Sequence, residues 1–267
     1  MEMNIVSVNY FDNEKSILEW FRNDIGHELY IPVNGEDCKK IYTSLVNNKE
    51  FSEWIDSSGK SDPPPDFYNP KAKMMMDIMR VDDHGHINED GKYINPVNQQ
   101  ESKIQRELRS GVMKSFPNIE IFVNAVTDLP GKEDHNYDFY LENFKRTIAK
   151  HIRSIPLYTA NHPDYQTIFF VFDESSGYVV AADEETASRG VRQGERFLGS
   201  PYVPFVDKRF AEVFLGTDID YLIWYTPFND FETDMPLLPN VCIYDVKNLS
   251  IDSFEDYPKS LIMSTEE

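Results

Sequence analysis

Between Ser61 and His86 the chain reads SDPPPDFYNPKAKMMMDIMRVDDHGH, and two of its acids stand where carboxylates are costly. Asp66 follows three prolines, and Asp77 sits inside the apolar run KMMMDIMRV. An ionised carboxyl is kept out of apolar surroundings unless a cation, a hydrogen-bond network or a metal compensates it. Two such acids with a cation nearby are what metal-assisted hydrolysis requires. The carboxylates hold a hard ion such as Mg2+ or Mn2+, and the cation sits beside the nucleophilic water or the developing charge. Lys73 and Arg80 are the candidate cations, and Glu53 is a candidate third carboxylate. The structural alternative is that Asp66 caps a turn and Asp77 pairs with a Lys or Arg.

Directly after that run comes Asp82-Asp83-His84-Gly85-His86. Asp82, Asp83 and His84 are candidate ligands of a transition metal, although Asp, His and Gly also form turns. Arg146, Lys150 and Arg153 recur at helical spacing beside Lys145. With Lys103, Arg106 and Arg109 they outline either a cationic face for phosphates or a solvated helix surface. In SRGVRQGERFLGSPYVP, residues 188–204, Arg189, Arg192 and Arg196 are spaced by glycines. A connection that long reads as an anion-binding lid or as a mobile surface loop. Asp245-Val246-Lys247 has an acid-x-Lys spacing but stands too near the C-terminus to open a nuclease-type core, and is read as coincidence.

The elements that must position these residues alternate. MNIVSVNYF reads as a strand, followed by a helix from about Glu14 to Ile25 with Ile17, Leu18, Phe21 and Ile25 on one face and Asp12 or Asn13 as cap. A helix over about Glu36 to Val46 and the turn FSEWI complete an N-terminal helical extension, residues 1–60. The core, 61–258, opens with the strand KMMMDIMRV. A helix from Pro96 to about Ser115 follows, then the strand NIEIFVNAV and a helix from about Tyr137 to Ser154 that Pro156 ends. TIFFVFD, DYLIWYTPF and NVCIYDV are continuous apolar runs and predict buried strands, the first two central. YVVAA after the turn ESSG predicts a hairpin, and a helix is expected near Asp207 to Leu215. Continuous strands alternating with amphipathic helices specify a three-layer α/β domain, a mixed β-sheet with helices on both faces. Residues 259–267 read as an acidic tail, and the whole chain, 1–267, as one domain.

Composition narrows the function classes. Net charge is −20, whereas residues 96–155 carry 9 basic and 8 acidic side chains, so any cationic surface belongs to the middle of the chain. The absence of GxGxxG, P-loop, GxSxG and HExxH patterns argues against dinucleotide, P-loop, serine-hydrolase and zinc-protease chemistry and for no organic cofactor. Cys38 and Cys242 read as reduced core residues. With no apolar stretch long enough to span a bilayer and no leader-like start, a cytoplasmic protein away from membranes is expected.

In the order of its elements, residues 50–126 resemble the PD-(D/E)XK nuclease superfamily. Pro65-Asp66 matches the first acid after a proline, and Asp77 the second acid on the next strand. The helix from Pro96 and the strand from Ile119 follow in the family's order. The motif lysine two positions after the second acid is replaced by Met79. The resemblance implies an Mg2+- or Mn2+-dependent hydrolase of phosphodiester bonds acting on nucleic acid, with Asp66 and Asp77 as ligands. The alternative from charge alone is an acidic, non-enzymatic immunity, anti-defence or inhibitor module that masks a basic protein partner.

Overall fold

The computed structural model describes residues 14–57, 65–87, 90, 92–95, 103, 104, 107, 135–189, 198–228 and 238–265. Seven strands form the central sheet: β1 (Leu29–Tyr30), β2 (Ile55–Asp56), β3 (Phe67–Asn69), β4 (Met74–Val81), β7 (Gln166–Asp173), β10 (Tyr221–Tyr225) and β11 (Val241–Asp245). Their spatial order is β1-β11-β10-β7-β4-β3-β2. The middle strands β10, β7 and β4 run parallel, and antiparallel pairs flank them: β11 on β10, β3 on β4, β2 on β3. As expected, TIFFVFD and DYLIWYTPF lie inside the sheet, each with a strand on both sides.

Side chains alternate across the sheet, so each apolar run fills two cores at once. Met75, Met79, Phe169, Val171, Leu222 and Trp224 face one side. There they meet α4 (Tyr137–Ile152), α5 (Ile155–Asn161) and α7 (Lys208–Phe214) through Tyr140, Phe144, Ile148, Tyr158 and Phe210. Met76, Ile78, Ile168, Phe170, Ile223 and Ile243 face the other side. The N-terminal helical segment supplies that layer: Ile17, Leu18 and Phe21 of α1 (Glu14–Asn23), then Cys38, Ile41 and Leu45 of α2 (Gly35–Val46), followed by the one-turn helix α3 (Asn48–Phe51). Both cysteines are buried and free, and burial pushes the Cys38 thiol up to about 12.

Several expectations need correction. Ile25 lies past the end of α1 and is fully exposed, because the helix stops at Asn23 before its last apolar residue can turn inward. Pro156 does not simply end a helix. It occupies the first turn of α5, where its missing N–H costs nothing. YVVAA forms β8 (Tyr178–Ala181), but it pairs with β9 (Gly199–Pro201) and β12 (Ile262–Ser264) in a separate three-stranded sheet and makes no hairpin with β7. The central sheet is mixed because of β11, β3 and β2 instead. The segment expected as an acidic tail supplies β12, with Met263 and Ser264 buried. A two-stranded ribbon, β5 (His86–Ile87) with β6 (Tyr93–Ile94), the short helix α6 (Glu184–Arg189) and four single 3-10 turns lie outside these layers' main elements. The expected strand 3–11, the strand 118–126 and, apart from 103, 104 and 107, the helix 96–115 lie outside the described residues. Among the described residues no helix is long and apolar enough to cross a membrane.

Candidate functional site

Strands β3 and β4 are joined by a tight turn whose last residue, Lys73, has a left-handed φ of 51°. Phe67 stands opposite Met76, and one step further along the same register Asp66 stands opposite Asp77. Cross-strand partners share a face, and the two carboxyls share a hydrogen bond. Asp66 also accepts the Ile78 N–H at 2.8 Å. Burial, and then the charge of Asp77, push Asp66 up to about 8, against the single backbone donor that pulls it down. Asp66 therefore favours its protonated form, which lets the two acids stand side by side around one proton.

Two further groups converge on Asp77 from the helical layer. His151 Nδ1, in the last turn of α4, contacts its Oδ2, and the Tyr158 hydroxyl of α5 donates to the same oxygen at 2.5 Å. Burial and the neighbouring Asp77 raise the Tyr158 pKa, which keeps it a donor. Sequence reasoning missed both residues. His151 falls three positions after Ile148, on the stripe α4 turns to the sheet, and an imidazole at that spacing was the available signal. Tyr158 lies past Pro156, where the sequence predicts the end of a helix and no further element before TIFFVFD, so α5 and its tyrosine were both missed.

The cations nominated from the sequence do not join the pair. Lys73 is exposed in the turn, four residues from Asp77, or about 13 Å along the strand. Arg80, three residues after Asp77, projects from the opposite face of the sheet and grips Glu174 through Nε at 2.7 Å and Nη2 at 2.8 Å. Glu53 is not a third carboxylate beside them, since Lys71 Nζ holds it at 2.5 Å. Met79, at the motif-lysine position, is core. Lys247 donates to the Thr217 carbonyl and Asp245 is held by Asn34 and Asn248, in keeping with coincidence. Arg146, Lys150 and Arg153 are exposed on and just after α4, so the basic stripe and His151 share one helix. Arg189 forms an i,i+4 pair with Glu185, while Arg192 and Arg196 lie outside the described residues.

The second cluster stands at the C-terminal end of β4, where parallel sheets place their functional loops. Asp83 is wholly buried. Its Oδ2 accepts the Ser176 N–H at 3.0 Å, the Ser176 hydroxyl at 2.7 Å and the Tyr178 hydroxyl at 2.7 Å. Its Oδ1 lies 3.2 Å from His135 Nδ1. Burial alone would raise this carboxyl, but the hydrogen bond and charge of His135, the Ser176 bond and the charge of His84 bring it below its ordinary value. The His84 and His135 rings meet edge to face at 4.7 Å. Among the described residues Asp83, His84 and His135 are the group whose potential ligand atoms converge, all within 4.8 Å of one another. His135, missed from sequence, sits just before the Asn136 cap of α4 in a left-handed conformation, φ 54°, which costs a residue with a Cβ about 1–2 kcal/mol. Asp82 points elsewhere: Asn95 Nδ2 donates to both its oxygens at 3.1 Å and Asn143 Nδ2 to one at 3.1 Å. Burial raises its pKa.

Buried Asp–Tyr contacts recur in this layer. Asp173 accepts from Tyr140 and, at 2.7 Å, from Trp224 Nε1, and burial lifts it to about 6. Asp207, the cap of α7, accepts from Tyr137 at 2.8 Å, Tyr202 at 2.6 Å and the Arg209 guanidinium. Both sit inside the core and read as structural.

No protein-family model, curated protein or solved structure matches the chain.

Proposed function

We propose that the chain is a metal-dependent hydrolase of phosphodiester bonds whose centre is the Asp66–Asp77 pair with His151. The observation that carries this reading is the juxtaposition of two carboxyls, one on β4 and one just before β3, with an imidazole on the first of them. Two acids held together need a proton or a cation between them, and their oxygens suit a hard divalent ion. Asp66 and Asp77 would hold Mg2+ or Mn2+, which supplies charge for the nucleophilic water and the phosphoryl oxygens. His151, bonded to Asp77, is placed to carry a proton, and Tyr158 fixes the Asp77 carboxyl. Lys150 and Arg153 flank His151 in sequence and are exposed, which offers phosphates a cationic approach on an otherwise acidic molecule. Binding should fall steeply with salt.

A second reading, an acidic module that masks a basic protein, is favoured by one observation. Lys73 and Arg80 lie or bond away from the carboxyl pair, so neither cation nominated from the sequence stands beside it. Incubation of the protein with single- and double-stranded DNA and RNA, with and without Mg2+ or Mn2+, separates the two. Cleavage that needs metal and is lost in Asp77→Asn is expected. A folded wild type that neither cuts nor binds any of them turns the assignment to the partner-binding module.

A further inference from the structure

We propose that Asp83, His84 and His135 form a second metal site, selective for a zinc-class ion, which ties the loop after β4 to the start of α4. Its ligand set differs in kind from the Asp66–Asp77 pair. Two imidazoles with one carboxylate suit Zn2+, Co2+ or Ni2+, whereas Mg2+ and Ca2+ prefer oxygen alone. Convergence is the first support, since the ligand atoms of all three residues lie within 4.8 Å of one another.

The second support is how the carboxylate is held. Ser176 and Tyr178 bind one oxygen of Asp83 with three donors and leave the other directed at His135. Such outer partners fix a carboxylate for an ion or for a ligating imidazole. The third is backbone: His135 takes a left-handed conformation that presents its ring to His84, and conformations of this kind persist where the surroundings demand them. Asp82, the other acid of the loop, takes no part because Asn95 and Asn143 hold it. Three protein ligands leave a fourth position for water.

The site is independent of the hydrolase reading. Asp83 follows Asp77 by six residues, about 20 Å along the chain, and the test keeps the two apart. Zn2+ titration of the full chain by calorimetry, with Co2+ absorption as a spectroscopic probe, should give one ion per chain. His84→Gln and His135→Asn should each weaken binding at least tenfold, Asn being chosen because it tolerates the left-handed backbone. Asp77→Asn should bind Zn2+ as the wild type does. The proposal is overturned if the folded wild type binds no Zn2+, or if both histidine variants bind it undiminished. Should a variant fail to fold, diethyl pyrocarbonate labelling of the wild type serves: Zn2+ should protect His84 and His135, and equal labelling with and without it counts against the site.

Discussion

Asp66→Asn should make the protein less sensitive to alkali. An asparagine at this position reproduces the protonated acid: its oxygen still accepts the Ile78 N–H and its amide still donates to Asp77. Below about pH 4, where this acid is protonated in the folded and the unfolded chain alike, the two proteins should therefore be equally stable to within about 0.5 kcal/mol. The folded wild type binds the Asp66 proton up to about pH 8, whereas the unfolded chain loses it near the ordinary carboxyl value. The native state holds more protons across that window, so stability is fully present below the unfolded value and falls as pH rises toward 8. The slope is about 1.4 kcal/mol per pH unit, so the wild type should lose about 2–3 kcal/mol relative to the variant between pH 5 and pH 7. Urea melts of both proteins in the presence of a chelator, at half-unit steps, give this difference directly. A difference that stays constant from pH 5 to pH 8 refutes the proton-sharing pair.

Arg80→Met should leave metal-dependent cleavage intact and cost about 1 kcal/mol or less, because the Glu174 pair it breaks lies on the far face of the sheet and is partly solvated; loss of turnover with the fold preserved would return Arg80 to the catalytic centre. Tyr140→Phe removes one of the donors to buried Asp173 and should destabilise by about 1.5–3 kcal/mol in denaturant melts without changing the metal requirement. Phe170→Ala, emptying a fully buried place between β7 and α1, should cost about 3–5 kcal/mol, and a smaller loss would mean that this layer is loosely packed. His151→Gln should lower the cleavage rate and change its pH profile while stability moves by less than 1 kcal/mol; an unchanged profile removes His151 from proton transfer.

The strands of the central sheet were legible because runs such as TIFFVFD and DYLIWYTPF stay apolar at both odd and even positions, which only a sheet covered on both faces explains. Asp66 and Asp77 were expected together from their order before the following helix and strand, whereas the tight turn whose register sets them side by side was not read from the sequence. Nor were the partners of Asp77. His151 and Tyr158 reach Asp77 from 74 and 81 residues away, and helix periodicity tells which face is buried but not which strand residue it meets. The same limit hid His135, brought to Asp83 across 52 positions. It also misplaced YVVAA: a short apolar run with two β-branched residues marks β8 as a strand, and the choice between β7 and β12 as its neighbour is made by tertiary packing. Lys73 and Arg80 failed as cations for local reasons, the first by lying in the turn and the second by an odd offset from Asp77.

Calorimetric titration of Mg2+ at pH 7, in two buffers of different ionisation heat, tests the Asp66–Asp77 centre most directly. Mg2+ disfavours the imidazole-rich second site and requires both carboxyls ionised, so its binding must expel the proton that Asp66 holds. The expected result is release of about one proton per bound ion by the wild type, and binding weakened at least tenfold, without that proton, in Asp66→Asn. Folded protein that takes up no Mg2+, or that binds it equally well without the Asp66 carboxyl, contradicts it.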